Sequence, residues 1–135
     1  MIADEAPCPC GSGDAYGVCC APFHRGETIA PTAEHLMRSR YAAFAVDDAE
    51  YLTATWHPST RPRELDLDAN VQWRRLDIVD TVAGGETDAA GEVEFRAYWR
   101  TLPTPGVPRD GGVLHERSRF ARERGRWYYV DGDAG

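Results

Sequence analysis

Four cysteines crowd the N-terminal part of the chain as Cys8-Pro-Cys10-Gly-Ser-Gly-Asp-Ala-Tyr-Gly-Val-Cys19-Cys20, a C-x-C pair and a C-C pair separated by eight residues. No other feature constrains the fold as strongly, because a Cys/Gly/Pro-rich segment of roughly thirty residues cannot bury enough apolar surface to fold alone. Two close pairs flanking a loop can bring four thiolates around one tetrahedral zinc, with Zn–S near ~2.3 Å. Gly11 and Gly13 suit the tight turn after the first pair, Tyr16 is placed to lie over the cluster as a lid, and His24 is the one substitute ligand within reach. Four thiolates on a divalent ion carry a net charge of about −2, so backbone N–H groups and Arg25 are expected near the sulfurs. Such a closed shell leaves no position for water or substrate. The spacing therefore predicts a structural zinc whose binding energy is folding energy. Two disulfides, or buried unligated thiols, are the alternatives; C-x-C and C-C are not the C-x-x-C of a thioredoxin-like redox pair.

At 135 residues the chain holds one ordinary domain plus this appendage, and 42% hydrophobic residues with four tryptophans supply its core. The net charge of −7 argues against binding nucleic acid through its phosphates, since that mode relies on clustered Lys and Arg. No apolar run approaches the ~20 residues needed to span a bilayer, and the acidic N terminus does not read as a secretory signal. No membrane partner is expected, and a cytoplasmic location follows, in which clustered thiols are metal ligands more often than disulfides.

Three zones follow one another. The cysteine-rich head covers residues 1–31 and an α+β domain covers residues 32–135. Leu36, Met37, Tyr41, Phe44 and Ala45 recur at helical spacing behind a Thr32 cap, and Asp47 and Asp48 read as a turn into a second helix that runs to Trp56 and stops at Pro58. Alternation then predicts four antiparallel strands over Val71 to Thr81, Gly91 to Thr101, Val113 to Glu123 and Arg126 to Asp131. In the first, Val71 and Trp73 share one parity while Leu76 and Ile78 share the other, which predicts a bulge at Arg74 and Arg75 and a bent sheet. A two-residue turn at Arg124-Gly125 sets Arg122 opposite Trp127 and Phe120 opposite Tyr129. That register sends Leu114, Glu116, Ser118, Phe120, Trp127, Tyr129 and Asp131 inward and His115, Arg117, Arg119, Tyr128 and Val130 outward. Gly84-Gly85 and Gly111-Gly112 read as turns between strands.

The head, with Cys8-Pro-Cys10-Gly-Ser-Gly, Tyr16 and Cys19-Cys20, resembles the SEC-C zinc motif at the C terminus of the SecA translocase motor, although Cys20 stands where His is common. The segments Glu34-His35-Leu36-Met37-Arg38-Ser39-Arg40-Tyr41, Thr55-Trp56-His57-Pro58-Ser59 and His115-Glu116-Arg117-Ser118-Arg119-Phe120, with Trp127-Tyr128-Tyr129-Val130-Asp131-Gly132, resemble the bacterial YchJ family. That resemblance implies a SEC-C head joined to a domain similar to nuclear transport factor 2, in which a bent four-stranded antiparallel sheet wraps helices to leave a cone-shaped pocket. Because the motif in SecA is associated with binding the chaperone SecB and the ribosome, the resemblance also implies an adapter role.

Within such a cone, Glu116 and Ser118 would sit among Trp99, Trp127 and Tyr129, with His57 nearby at the helix end. A carboxylate there needs a partner. An ion pair with one of the many arginines is the reading preferred over a general base or ligand anchor, and His57 is expected to cap terminal carbonyls of its helix. His35 and His115 belong on solvated faces. No nucleophile elbow, phosphate-binding glycine loop or catalytic carboxylate pair is present. The sequence thus points to an interaction protein with a structural zinc head and a protein partner, the alternative being a small-molecule-binding protein or enzyme acting through the cone pocket.

Overall fold

In the computed structural model, which describes residues 2–134, Thr32 caps the longest helix as its sequence position requires: its hydroxyl accepts the His35 backbone N–H at 3.1 Å. The head contributes a short helix α1 (Ala21–His24), and the helical layer consists of α2 (Ala33–Ala45) and α3 (Ala49–Ala54). Asp47 takes the left-handed turn between them at φ 59°, and Asp48 caps α3 by accepting the Tyr51 N–H at 3.0 Å. Helix α3 ends at Ala54 rather than Trp56. Thr55 and His57 instead bond to Tyr129, the Tyr129 N–H donating to Thr55 O and the His57 N–H donating to Tyr129 O, each at 2.8 Å, so Trp56 runs as a parallel bridge on the sheet edge.

Four strands follow, β1 (Val71–Ala83), β2 (Ala90–Thr101), β3 (Gly111–Glu123) and β4 (Arg126–Ala134), paired antiparallel in the order β1-β2-β3-β4. The expected bulge is present: Trp73 pairs with Trp99 and Arg75 with Tyr98, leaving Arg74 unpaired, and a second irregularity falls between Ile78 and Asp80. Helix α2 packs against β1, β2 and β4, so the sheet curls far enough for strands at both of its edges to reach one helix. The core lies between them, from Leu36, Met37 and Tyr41 to Leu76, Val93, Phe95, Phe120 and Trp127. A fully buried residue such as Leu36 contributes roughly 1.5–3 kcal/mol of apolar burial.

Turn geometry is tightest where Gly84 and Gly91 pass each other, since a Cβ on Gly91 would overlap the Gly84 backbone. Gly84 O also accepts the Ala33 N–H at 2.9 Å, pinning the β1–β2 hairpin to the start of α2.

Three expectations are corrected. Gly111 and Gly112 open β3 rather than forming a turn, pairing with Arg100 and Trp99, and the Trp99 ring lies over Gly112 where a Cβ would crowd it at 3.2 Å. Leu114 is 41% exposed, its end of β3 left uncovered by a helix that packs on the other three strands. Asp131 is exposed too. Phe120 pairs with Tyr129 and Arg119 with Asp131, so Val130 is an extra residue that reverses parity and delivers Asp131 to Arg119 on the outer face at 2.6 Å.

Candidate metal centre and the cone interior

The head folds around its cysteines. Gly11, at φ 79°, returns the chain so that its N–H donates to Cys8 O at 3.1 Å, and the Cys8 N–H donates to Asp14 O at 2.9 Å across a Pro7–Ala15 bridge. A single 3₁₀ turn, Tyr16–Val18, then sets down Cys19 and Cys20, the latter at the start of α1, with Pro22 within its first turn. One ligand atom from each of Cys8, Cys10, Cys19 and Cys20 lies within 4.8 Å of the others.

Sγ–Sγ separations of 3.6 Å for Cys10–Cys19 and 4.0 Å for Cys19–Cys20 bracket the ~3.8 Å edge of a tetrahedron with ~2.3 Å metal–sulfur bonds, and are far from the ~2.05 Å of a disulfide. All four thiols are free, with Cys8, Cys10 and Cys20 buried and Cys19 half-buried. Thiols donated by Cys20 and Cys8 hold the Cys10 sulfur as a thiolate well below the usual range, assisted by the Ser12 hydroxyl and backbone N–H. The same contact with Cys10 pushes Cys8 up to about 12 and raises Cys20 further. A cation among the sulfurs would favour the ionised form of the thiols that these contacts hold protonated, Cys8 and Cys20. The residues fit a four-thiolate metal site.

Arg25 does not approach the sulfurs. Asp4 holds it by a fork of two bonds at 2.6 and 3.2 Å, and the basic residue that reaches the head is Arg38 of α2, which donates to Cys10 O at 3.1 Å and to Glu34 at 3.0 Å. Nor is His24 free to ligate. Its Nε2 donates to Ser39 O at 2.8 Å, leaving Nδ1 to accept the Tyr16 hydroxyl at 2.6 Å. Tyr16 therefore covers the cluster and braces it through His24 onto α2, whose Ala42 joins Cys8, Cys10, Tyr16, Cys20 and Ala21 in one buried cluster.

The inside of the cone is filled. Arg40, 3% exposed, lies between the rings of Trp56 and Tyr129 at 5.1 and 4.8 Å and donates to Leu52 O at 2.8 Å and Thr55 Oγ1 at 2.6 Å. Burial pulls its pKa down to about 10. Among the described residues Glu116 makes no ion pair. Its carboxylate accepts the Ser118 hydroxyl at 2.5 Å and, more weakly, the Tyr129 hydroxyl at 3.4 Å, in place of the expected pair with one of the arginines, and the Arg40 guanidinium is occupied by the two rings and α3. Desolvation, reinforced by the Glu116 charge, pushes Tyr129 up to about 12. Trp127 donates to Pro31 O at 3.2 Å, and Trp99 lies further along the ladder over Gly112, away from this group. His57 caps no helix carbonyl. Ser59 N–H donates to its Nδ1 at 3.1 Å and its Nε2 donates to Glu123 at 2.6 Å, strapping the segment after α3 to the end of β3. His35 is exposed, whereas His115 pairs with Glu94 at 2.6 Å on the outer face.

Arg40 is the residue that sequence reasoning missed. The signal that could have found it is its spacing, since position 40 falls within the buried 36, 37, 41 stripe of α2. Open space lies elsewhere: a cavity of about 360 Å³ at the seam between head, α3 and β4, and a groove of about 460 Å³ between the cysteine knob and α2.

Family models match two parts of the chain, the SEC-C motif over residues 6–22 and the YchJ middle NTF2-like domain over residues 32–132. A UPF0225 protein of Streptomyces coelicolor is 52% identical over 127 residues, covering 94% of each chain, and one of Deinococcus radiodurans is 49% identical over 125 residues, covering 93% of this chain and 87% of its own. The solution structure of a SEC-C motif containing protein from Rhodopseudomonas palustris superposes with a TM-score of 0.77 at 36% identity over 96% of this chain and 99% of that one. The crystal structure of another from Psychrobacter arcticus does so with a TM-score of 0.75 at 29% identity over 100% of this chain and 86% of that one.

Proposed function

The chain belongs to the UPF0225 family and carries both the SEC-C motif and the YchJ middle NTF2-like domain; on that premise we propose that it is an interaction protein whose head, folded by one structural zinc, docks a protein partner. The observation that carries this reading is the closed set of four sulfurs braced onto α2 through Cys10 O–Arg38 and Tyr16–His24–Ser39. Bound there, zinc supplies charge neutralisation and a fixed tetrahedral crosslink. Arg38 and His24 hold the crosslinked head at one orientation. Val18, 77% exposed at the tip between the two cysteine pairs, and the groove beside Cys19 give the knob a surface to present. The filled cone, with Arg40 between aromatic rings, weighs against chemistry in that interior. A reducing cytoplasmic setting suits thiolate ligands.

Affinity capture tests the reading with wild type, a Cys19→Ser, Cys20→Ser variant and Val18→Asp, followed by direct binding measurements on any protein lost from the variants. A partner that binds wild type and is lost from both variants supports it. Identical partner sets for all three sink it.

A further inference from the structure

We infer that the seam cavity is a binding site for a free α-amino acid with a large apolar or aromatic side chain. At about 360 Å³ it falls within the ~300–1,000 Å³ range of small-molecule sites. Four separate segments build it: Phe23 from the head, Leu36 from α2, Glu50 and Tyr51 from α3, and Arg126, Trp127 and Tyr128 from β4. It is distinct from the filled cone and from the groove beside the cysteines.

Three of the aromatic groups that line it, Tyr51, Trp127 and His24, have their polar atoms already used. Tyr51 donates its hydroxyl to Ser39 Oγ at 2.7 Å, because that serine's own proton goes to Leu36 O. Trp127 Nε1 is held by Pro31 O, and the His24 ring, both nitrogens committed, packs on Tyr51 at 4.8 Å. These faces offer contact area without free donors, which suits an apolar or aromatic body. The mouth differs. Glu50 and Arg126 are exposed, and among the described residues neither has an ion-pair partner, although other arginines of the sheet, such as Arg117 and Arg119, do. The carboxylate of Asp48 is engaged by the Tyr51 N–H. The unpaired Glu50 carboxylate and Arg126 guanidinium at the rim, with the Asp48 carboxylate beside Glu50 turned to the Tyr51 N–H, match the ammonium and carboxylate of an α-amino acid whose side chain points inward. A purely cationic ligand leaves Arg126 unmatched, and a purely anionic one leaves Glu50 unmatched.

Calorimetric titration of the metal-loaded full chain with L-phenylalanine, phenethylamine, 3-phenylpropionate and N-acetyl-phenylalanine amide tests this, with NMR following the Trp127 indole N–H. Phenylalanine is expected to bind and shift that signal, and each analogue lacking a charge to bind about tenfold more weakly. Glu50→Gln should weaken phenylalanine and phenethylamine while sparing 3-phenylpropionate, and Arg126→Gln should weaken phenylalanine and 3-phenylpropionate while sparing phenethylamine. Both positions are exposed, so the variants keep the fold. Equal binding of all four compounds, binding unaffected by either variant, or no binding of phenylalanine at about 10 mM overturns the proposal.

Discussion

Tyr16 Oη and His24 Nδ1 lie 2.6 Å apart, and the opposite nitrogen of the same imidazole donates to Ser39 O, so one ring links the cover of the cysteine cluster to the middle of α2. The carbonyl can only accept, which fixes the neutral His24 as the Nε2–H tautomer. Loss of the Tyr16 hydroxyl in Tyr16→Phe should cost about 1 kcal/mol, and His24→Ala about 2–3 kcal/mol because it leaves two buried groups unpaired. Urea unfolding of the two single variants and the double variant checks this. The double variant should fall short of the sum, and strict additivity would mean the bond carries no coupling.

Arg40 is a buried cation satisfied by neutral groups: Leu52 O, Thr55 Oγ1 and the faces of Trp56 and Tyr129. Arg40→Ala should destabilise by about 3 kcal/mol, from a cavity and unpaired acceptors. Arg40→Lys should rescue less than half of that loss, because an ammonium cannot stack between two rings as a planar guanidinium does. Full rescue in thermal or urea unfolding would show that charge alone matters there.

Gly91 allows its backbone to pass against Gly84. Gly91→Ala should lower stability by roughly 2 kcal/mol or more and loosen the β1–β2 hairpin from Ala33, which hydrogen exchange at the Ala33 amide reports.

Glu94 on the outer face has its pKa held below its ordinary 4.5, first by its bond to His115 and then by Arg117. A carboxylate depressed by folding contributes stability above its unfolded-state value and loses it as pH falls through the folded-state value. Wild type should therefore exceed Glu94→Gln in melting temperature at pH 6, with the gap closing below about pH 4 and shrinking in high salt. A gap that widens in acid would contradict this.

Much of the architecture was legible because the strands alternate cleanly and the parity change between Trp73 and Leu76 marks a bulge in the sequence itself. The Val130 bulge left no such mark. Trp127-Tyr128-Tyr129-Val130-Asp131 reads as continuous β sequence, and only the pairing of Arg119 with Asp131 shows that one residue is extra. The cysteine spacing announced its cluster, whereas Arg38 and Arg40 could not be told apart as surface charges: one reaches Cys10 O and the other fills the cone. The seam cavity was invisible for a different reason, since its walls come from segments far apart in the chain.

On the proposed reading Cys8, Cys10, Cys19 and Cys20, whose sulfurs cluster in the head, hold one structural zinc. Elemental analysis combined with native mass spectrometry of protein purified under reducing conditions, without added metal, tests it most directly. One zinc per chain is predicted, absent from the Cys19→Ser, Cys20→Ser variant. A metal-free wild-type chain, a bound metal other than zinc, or two disulfides in its place would contradict it.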